Sequence, residues 1–111
     1  MHQGFCEVAY IASSLAERAE RCGIAACEVE WIIGIPKGSF PRRLPSLDSM
    51  REACLRRLDQ LCILVLNLMP DDATEWFRTP SLALGGSTPL ELMLADAQAV
   101  AGLLYALRSE T

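Results

Sequence analysis

A helix that is apolar on nearly every side constrains this chain more than any other feature of its sequence. The residue pattern predicts one long helix over about 47–69, which Pro70 ends. The first half of this helix is amphipathic, and the second half, with the run LCILVLNLM at 61–69, is apolar almost all round. A helix without a polar face must be surrounded. We therefore expect it to occupy a central position or a subunit interface.

The rest of the chain also favours helices. Alternating apolar and polar runs are short, whereas Ala, Leu, Glu and Arg dominate. The pattern predicts helices over about 5–22, 26–33, 37–44 and 96–108, one that carries Trp76 and Phe77, and one that begins after Thr88. The expected fold is all-α, a small helical bundle. Residues 1–45 would form a helix-turn-helix-like bundle, and residues 46–111 would hold the long apolar helix and a short-helix C-terminal part.

Charge is distributed unevenly along the sequence. Residues 1–57 contain eight Lys and Arg against seven Asp and Glu, whereas residues 58–111 contain two against seven. The net charges are +1 and −5, which sum to the −4 of the whole chain. The acidic second half is therefore a poor surface for nucleic acid, and the first half carries local basic clusters.

Metal and membrane functions have little support in the composition. The five cysteines form no CxxC pair, and the chain has one histidine, His2. We therefore expect reduced, buried cysteines, no metal site and no cofactor. The first residues lack a basic segment followed by an apolar one, and the run at 61–69 is shorter than the roughly 20 residues of a membrane helix. We expect a cytoplasmic protein.

Catalysis is not expected either. No Ser/His/Asp or Cys/His set is available for nucleophilic chemistry. The paired carboxylates Asp71 and Asp72 stand where a helix cap is expected, and we interpret them as capping residues. The prediction is a binding protein with no catalytic residues.

A basic turn in the first half is the candidate DNA contact. The stretch VEWIIGIPKGSFPRRL, residues 29–44, has the order of a helix-turn-helix: a helix, a glycine turn, a buried isoleucine and a third helix. In that arrangement Lys37, Ser39, Arg42 and Arg43 would face a duplex as phosphate anchors or base readers. The alternative is a solvated basic turn on a bundle that does not bind DNA.

The stretch EWFRTPSLALGGSTPLELM, residues 75–93, is mainly a series of helix ends and starts. Pro80 stops one helix, and Thr88, Pro89 and Glu91 have the pattern of a capping box with proline in the first turn. The glycine pair between them lacks the spacing of a phosphate-binding loop. Trp76 is interpreted either as a core anchor or as a direct binding residue.

The order W-F-x-x-P-[SN]-x-x-L-x-G-x-x-P-x-[ED]-L, from Trp76 to Leu92, resembles the toxin-binding domain of the MbcA/ParS/Xre antitoxins. The resemblance covers residues 46–111 well and extends weakly over the front, where such antitoxins carry a helix-turn-helix-like bundle. It implies an antitoxin that packs on a RES-domain toxin, blocks the cleft in which the toxin depletes NAD⁺, and often represses its own operon.

The toxin contacts that we predict lie on the loop and the last helix. They are Trp76, Leu84, Gly85, Gly86, Pro89, Leu104, Tyr105 and Arg108. Arg108 would place its charge where a phosphate or ribose of NAD⁺ binds. Leu103 and Leu107 on the same helix are alternatively core residues.

The expected protein is thus an antitoxin that forms a homodimer through the long apolar helix, binds a RES-domain toxin, and contacts operator DNA with its front. One alternative is a stand-alone helix-turn-helix transcriptional regulator without a toxin. Another is a self-assembling scaffold protein.

Overall fold

Every regular element in the described part of the chain is a helix. The computed structural model describes the backbone of residues 3–109 and the side chains of residues 7–109. The helices are α1 (Gln3–Arg21), α2 (Ala26–Ile33), α3 (Ser49–Leu68), α4 (Ala73–Arg78), α5 (Pro89–Ala95) and α6 (Ala99–Ser109), with a short 3-10 turn at Leu82–Leu84. The all-α prediction is confirmed.

The central element is α3, the long helix that the sequence predicts. It packs mainly against α1 and α6. Leu55, Leu58, Leu61 and Val65 are fully buried between these helices. The expected central position is confirmed for these residues, whereas Met50 and Leu68 on the same helix are exposed. Within residues 3–109, no helix is both long and apolar enough to cross a membrane.

A glycine lets α1 end directly against α4. Gly23 has a φ of +74°, in the left-handed region that favours glycine, and a Cβ there would lie 2.6 Å from Cγ2 of Thr74. The hydroxyl of Thr74 also donates to the carbonyl of Arg21 at 3.5 Å. A larger residue at position 23 would be strained and would force the Thr74 side chain or its surroundings to shift.

The ion pair of Arg18 and Asp59 joins the two longest helices at the edge of the core. Nη1 of Arg18 on α1 lies 2.9 Å and 3.1 Å from the two carboxylate oxygens of Asp59 on α3. Asp59 is buried, and a buried carboxylate is costly without a partner. The guanidinium of Arg18 supplies that partner.

The cysteine prediction is confirmed for three thiols and wrong for one. Cys22, Cys54 and Cys62 are buried and free, whereas Cys27 is exposed on α2. Burial raises the pKa of the Cys54 thiol and so favours its protonated form. His2 and the side chain of Cys6 lie outside the described residues.

The predicted third helix, 37–44, is wrong. The described chain has no helix between Ile33 and Ser49, and residues 36–43 form a compact turn instead. Gly38 has a left-handed φ of +86°, which interrupts helical geometry, and Pro41 has no N–H to donate. The buried carboxylate of Glu30 accepts hydrogen bonds from the backbone N–H of Gly38 (2.8 Å) and of Phe40 (3.1 Å). The Glu30 carboxylate thus gives two backbone N–H groups of the turn an acceptor, so the turn does not need helical hydrogen bonds.

We expect Glu30→Ala to lower the free energy of unfolding by about 2–4 kcal/mol, because each backbone N–H left without a partner costs about 1–3 kcal/mol. Urea denaturation followed by circular dichroism measures the loss. Glu20→Ala is the control, since Glu20 is exposed on α1 and should change stability by less than about 0.5 kcal/mol. Equal stability of both variants would show that Glu30 does not hold the turn.

Candidate functional site

The aromatic pair of α4 lies at the boundary between the core and the surface. Phe77 is fully buried, and Trp76 is half-buried beside it. Their ring centroids are 4.9 Å apart and the ring planes meet at 89°, an edge-to-face arrangement. Trp76 therefore packs on the core and still leaves part of its ring at the surface.

The loop between α4 and α5 is closed by its own backbone. Five hydrogen bonds link residues 81–87, including Gly86 N–H to the carbonyl of Ser81 at 2.8 Å and Ser81 N–H to the carbonyl of Ser87 at 3.1 Å. Gly85 and Gly86 have φ values of +70° and +87°. Leu84 is half-buried and packs against the core. The loop thus has one definite shape, with Leu84 directed inward.

The start of α5 follows the predicted capping box. The hydroxyl of Thr88 accepts from the N–H of Glu91 at 2.9 Å, and the carboxylate of Glu91 accepts from the N–H of Thr88 at 2.9 Å. Pro89, however, is buried in the first turn. Its predicted contact with a partner is corrected to a structural role, because a buried ring cannot be reached from outside.

On the last helix, two neighbouring residues that were both predicted to contact the toxin differ in their exposure to solvent. Tyr105 is 76% exposed, whereas Leu104 is only 4% exposed and packs in the core with Leu103 and Leu107. Leu104 is therefore corrected from a surface anchor to a core residue. Nη2 of Arg108 lies 3.2 Å from the side-chain oxygen of Gln60, so the end of α6 is linked to α3.

Of the predicted toxin contacts, the loop brings Leu84, Gly85 and Gly86 together, with both glycines exposed. Tyr105 and Arg108 are exposed on a different element, α6. An open groove that borders α6, with a volume of about 680 Å³, has none of the predicted residues in its wall. It lies between α3 and α6 and is lined by Ile33, Met50, Cys54, Arg57, Val100 and Ala101, among others.

The basic turn at the front presents three of its four predicted residues. Lys37, Arg42 and Arg43 are exposed, and no hydrogen bond or ion pair engages these side chains in the part of the chain that the structure describes. Ser39 is corrected: it is buried, and its hydroxyl donates to the carbonyl of Pro36. Its side chain is not available to a duplex. The turn is therefore a cationic surface without a recognition helix.

Two prominent surface residues, Trp31 and Leu82, were not among the contacts predicted from the sequence. Trp31 on α2 is 72% exposed, yet its indole N–H donates to the carbonyl of Leu94 on α5 at 2.9 Å. Its exposure could have been found, because Val29, Ile32 and Ile33 define the buried face of α2 and Trp31 lies off that face. Leu82 is 96% exposed at the tip of the loop. No periodicity decides which leucine of a loop faces inward.

Comparison with known proteins assigns the part of the chain that holds this loop. Residues 67–109 match the family model of the antitoxin Xre/MbcA/ParS C-terminal toxin-binding domain. Residues 67–109 belong to this antitoxin family. The toxin-binding domain begins in the last turn of α3 and ends with α6, so it contains the loop, the aromatic pair and Tyr105. A search of curated proteins found no match to the chain.

Within the toxin-binding domain, we expect Leu104→Ala to lower the free energy of unfolding by about 2–5 kcal/mol, because it removes buried methyl groups from the core. Tyr105→Ala should change it by less than about 0.5 kcal/mol, because this side chain is mostly in water. Chemical denaturation of the two variants tests the assignment. A larger loss for Tyr105→Ala than for Leu104→Ala would reverse which of them is core.

Proposed function

We propose that this protein is the antitoxin of a toxin–antitoxin pair, and that it binds a RES-domain toxin and stops it from depleting NAD⁺. The observation that carries the proposal is that residues 67–109 are a toxin-binding domain of an antitoxin family. The resemblance of the segment from Trp76 to Leu92 supports the RES-domain class of the partner. The protein acts by binding, in the cytoplasm, with no reaction of its own.

The surface of the toxin-binding domain suits a protein partner. Residues 67–109 contain five acidic and two basic residues, a net charge of −3. A toxin surface with basic groups would be attracted to it, and such complementarity raises the rate of association. Tyr105 adds an exposed aromatic ring on α6, the kind of side chain that often dominates binding energy. Arg108, at the end of the same helix, stays the predicted group at the toxin cleft.

The proposed contacts with DNA and with the toxin divide at the predicted domain boundary between residues 45 and 46. In this proposal residues 1–45 carry the contact with DNA and residues 46–111 the contact with the toxin. The boundary falls in the extended segment before α3, although the hydrophobic core is continuous across it. The homodimer through the long apolar helix also stays a prediction, since α3 keeps the apolar side chains of Met50 and Leu68 exposed.

The decisive experiment is co-expression with the product of the adjacent reading frame, followed by size-exclusion chromatography with light scattering. We expect a stable complex, and cells that keep their NAD⁺ when both proteins are present but lose it with the partner alone. The mass of the complex gives the stoichiometry, and the mass of the chain alone tests the homodimer. A chain that elutes without the partner and does not preserve NAD⁺ would contradict the proposal.

A second activity, contact with operator DNA, is favoured by the exposed cations Lys37, Arg42 and Arg43. Because the turn has no third helix, we infer that these residues contact phosphates rather than read bases from the major groove. Affinity should therefore fall steeply as salt concentration rises. A stand-alone regulator would show this binding without any toxin.

For DNA, we expect Arg42→Glu combined with Arg43→Glu to weaken binding and to reduce the slope of log affinity against log salt by about 2, one for each lost phosphate contact. Fluorescence anisotropy with the upstream DNA measures both quantities. Toxin binding should not change. The control is Arg21→Glu with Arg57→Glu, the same charge change at exposed positions outside the turn. Equal weakening by the control would assign the effect to net charge alone.

A further inference from the structure

The tip of the loop between α4 and α5 carries the most exposed large apolar side chain of the described residues. Leu82 is 96% exposed, and its neighbours Pro80 and Ala83 are exposed as well. Single exposed leucines are common on protein surfaces and need no explanation. The surroundings of Leu82 are uncommon in three respects. The loop around it has no charge, the charged residues that flank the loop are engaged within the chain, and the backbone of the loop is held rigidly.

The first respect is the absence of charge. Residues 79–90, TPSLALGGSTPL, contain no charged residue, although they lie in a domain with a net charge of −3. The centres of protein interfaces are depleted of charged residues in the same way, because each charge would have to be stripped of water on binding. The loop therefore has the composition of an interface centre.

The second respect is that the charges flanking the loop are already engaged within the chain. Nη2 of Arg78 lies 2.7 Å from the carbonyl oxygen of Gly23 and 3.0 Å from a carboxylate oxygen of Glu28. Glu91 accepts from the N–H of Thr88 in the capping box. A partner that covers Leu82 consequently needs no matching charge, only an apolar socket.

The third respect is rigidity. The backbone bonds of residues 81–87 and the capping box after them hold both ends of the loop, and half-buried Leu84 attaches it to the core. A side chain presented by a fixed backbone loses little conformational freedom when it is bound. Leu82 thus combines full exposure with a preorganised position.

We propose that Leu82 is the apolar anchor of the toxin complex and inserts into an apolar, uncharged socket on the toxin. This assignment rests on the proposed function, because the toxin is the partner that the domain containing the loop is built to bind. Leu82 then determines which toxin is accepted, since a socket of different size or polarity would leave the leucine unpacked or a polar group unpaired.

The test uses Leu82→Ala and Leu82→Asp, which should fold like the wild type because the side chain makes almost no contact within the chain. Isothermal titration with the purified product of the adjacent reading frame measures the dissociation constant. We expect Leu82→Ala to weaken binding by at least about thirty-fold, the level of an interface hot spot, and Leu82→Asp by more. The control Tyr10→Asp alters a side chain that is 73% exposed on α1, and it should change affinity by less than about two-fold.

The possible outcomes distinguish failure of the Leu82 proposal from failure of the proposed antitoxin function. Leu82 variants that bind within about three-fold of the wild type would overturn the anchor and leave the antitoxin assignment standing. No binding by the wild type would overturn both. A Leu82→Asp variant that dissociates a homodimer but still binds the toxin would assign the loop to a second copy of this chain, and would also overturn the proposal.

A second pair of variants tests the rigidity of the loop. At Gly85, a Cβ would meet nothing within 4 Å, so a substitution there acts through its backbone preference alone. Asn adopts positive φ more readily than the β-branched Val does. Gly85→Val should therefore weaken toxin binding more than Gly85→Asn. Equal affinities would show that the fixed shape of the loop does not contribute to binding.

Discussion

The enclosure of α3 is the constraint on which the other elements depend. Most of its apolar residues are buried, and α1 and α6 supply most of their cover from opposite ends of the sequence. This arrangement brings the two parts of the chain onto one core. The short elements α2, α4 and α5 then fill the remaining space, and the loops between them are the segments left free to carry binding residues.

The sequence predicted the helices well where periodicity, caps and proline agreed. The long helix of 47–69 lies at Ser49–Leu68, and the capping box of Thr88 and Glu91 is formed as expected. The prediction of a third helix was wrong because of a contact between residues distant in the sequence. The carboxylate of Glu30, seven or more residues away, accepts the backbone hydrogen bonds that stabilise a non-helical turn. A local pattern does not contain that partner.

The candidate site was predictable in its location but less so residue by residue. The motif from Trp76 to Leu92 identified the toxin-binding domain, because its order of aromatic, proline and glycine residues is unusual. Whether Leu82 or Leu84 faces the core, and whether Pro89 is accessible, depends on how the loop packs against helices distant in sequence. For Leu104 and Tyr105, one residue of rotation on α6 separates core from solvent.

The two proposed surfaces have the same construction. In each, a segment between two α-helices is fixed by a few specific hydrogen bonds, from Glu30 at the front and from the backbone of Ser81 and its neighbours at the back. The front loop presents cations and the back loop presents an apolar side chain. Their chemistry therefore suits two different kinds of partner.

The position of α6 on α3 has a consequence for what counts as a domain. The segment shared with the antitoxin family, residues 67–109, is 43 residues long, and most of the helix that α6 packs against precedes it. Cut out at residue 67, it would leave Leu103 and Leu107 without most of their cover, and a core of that size is rarely stable alone. The segment that matches the family model is thus smaller than the unit that folds in this chain.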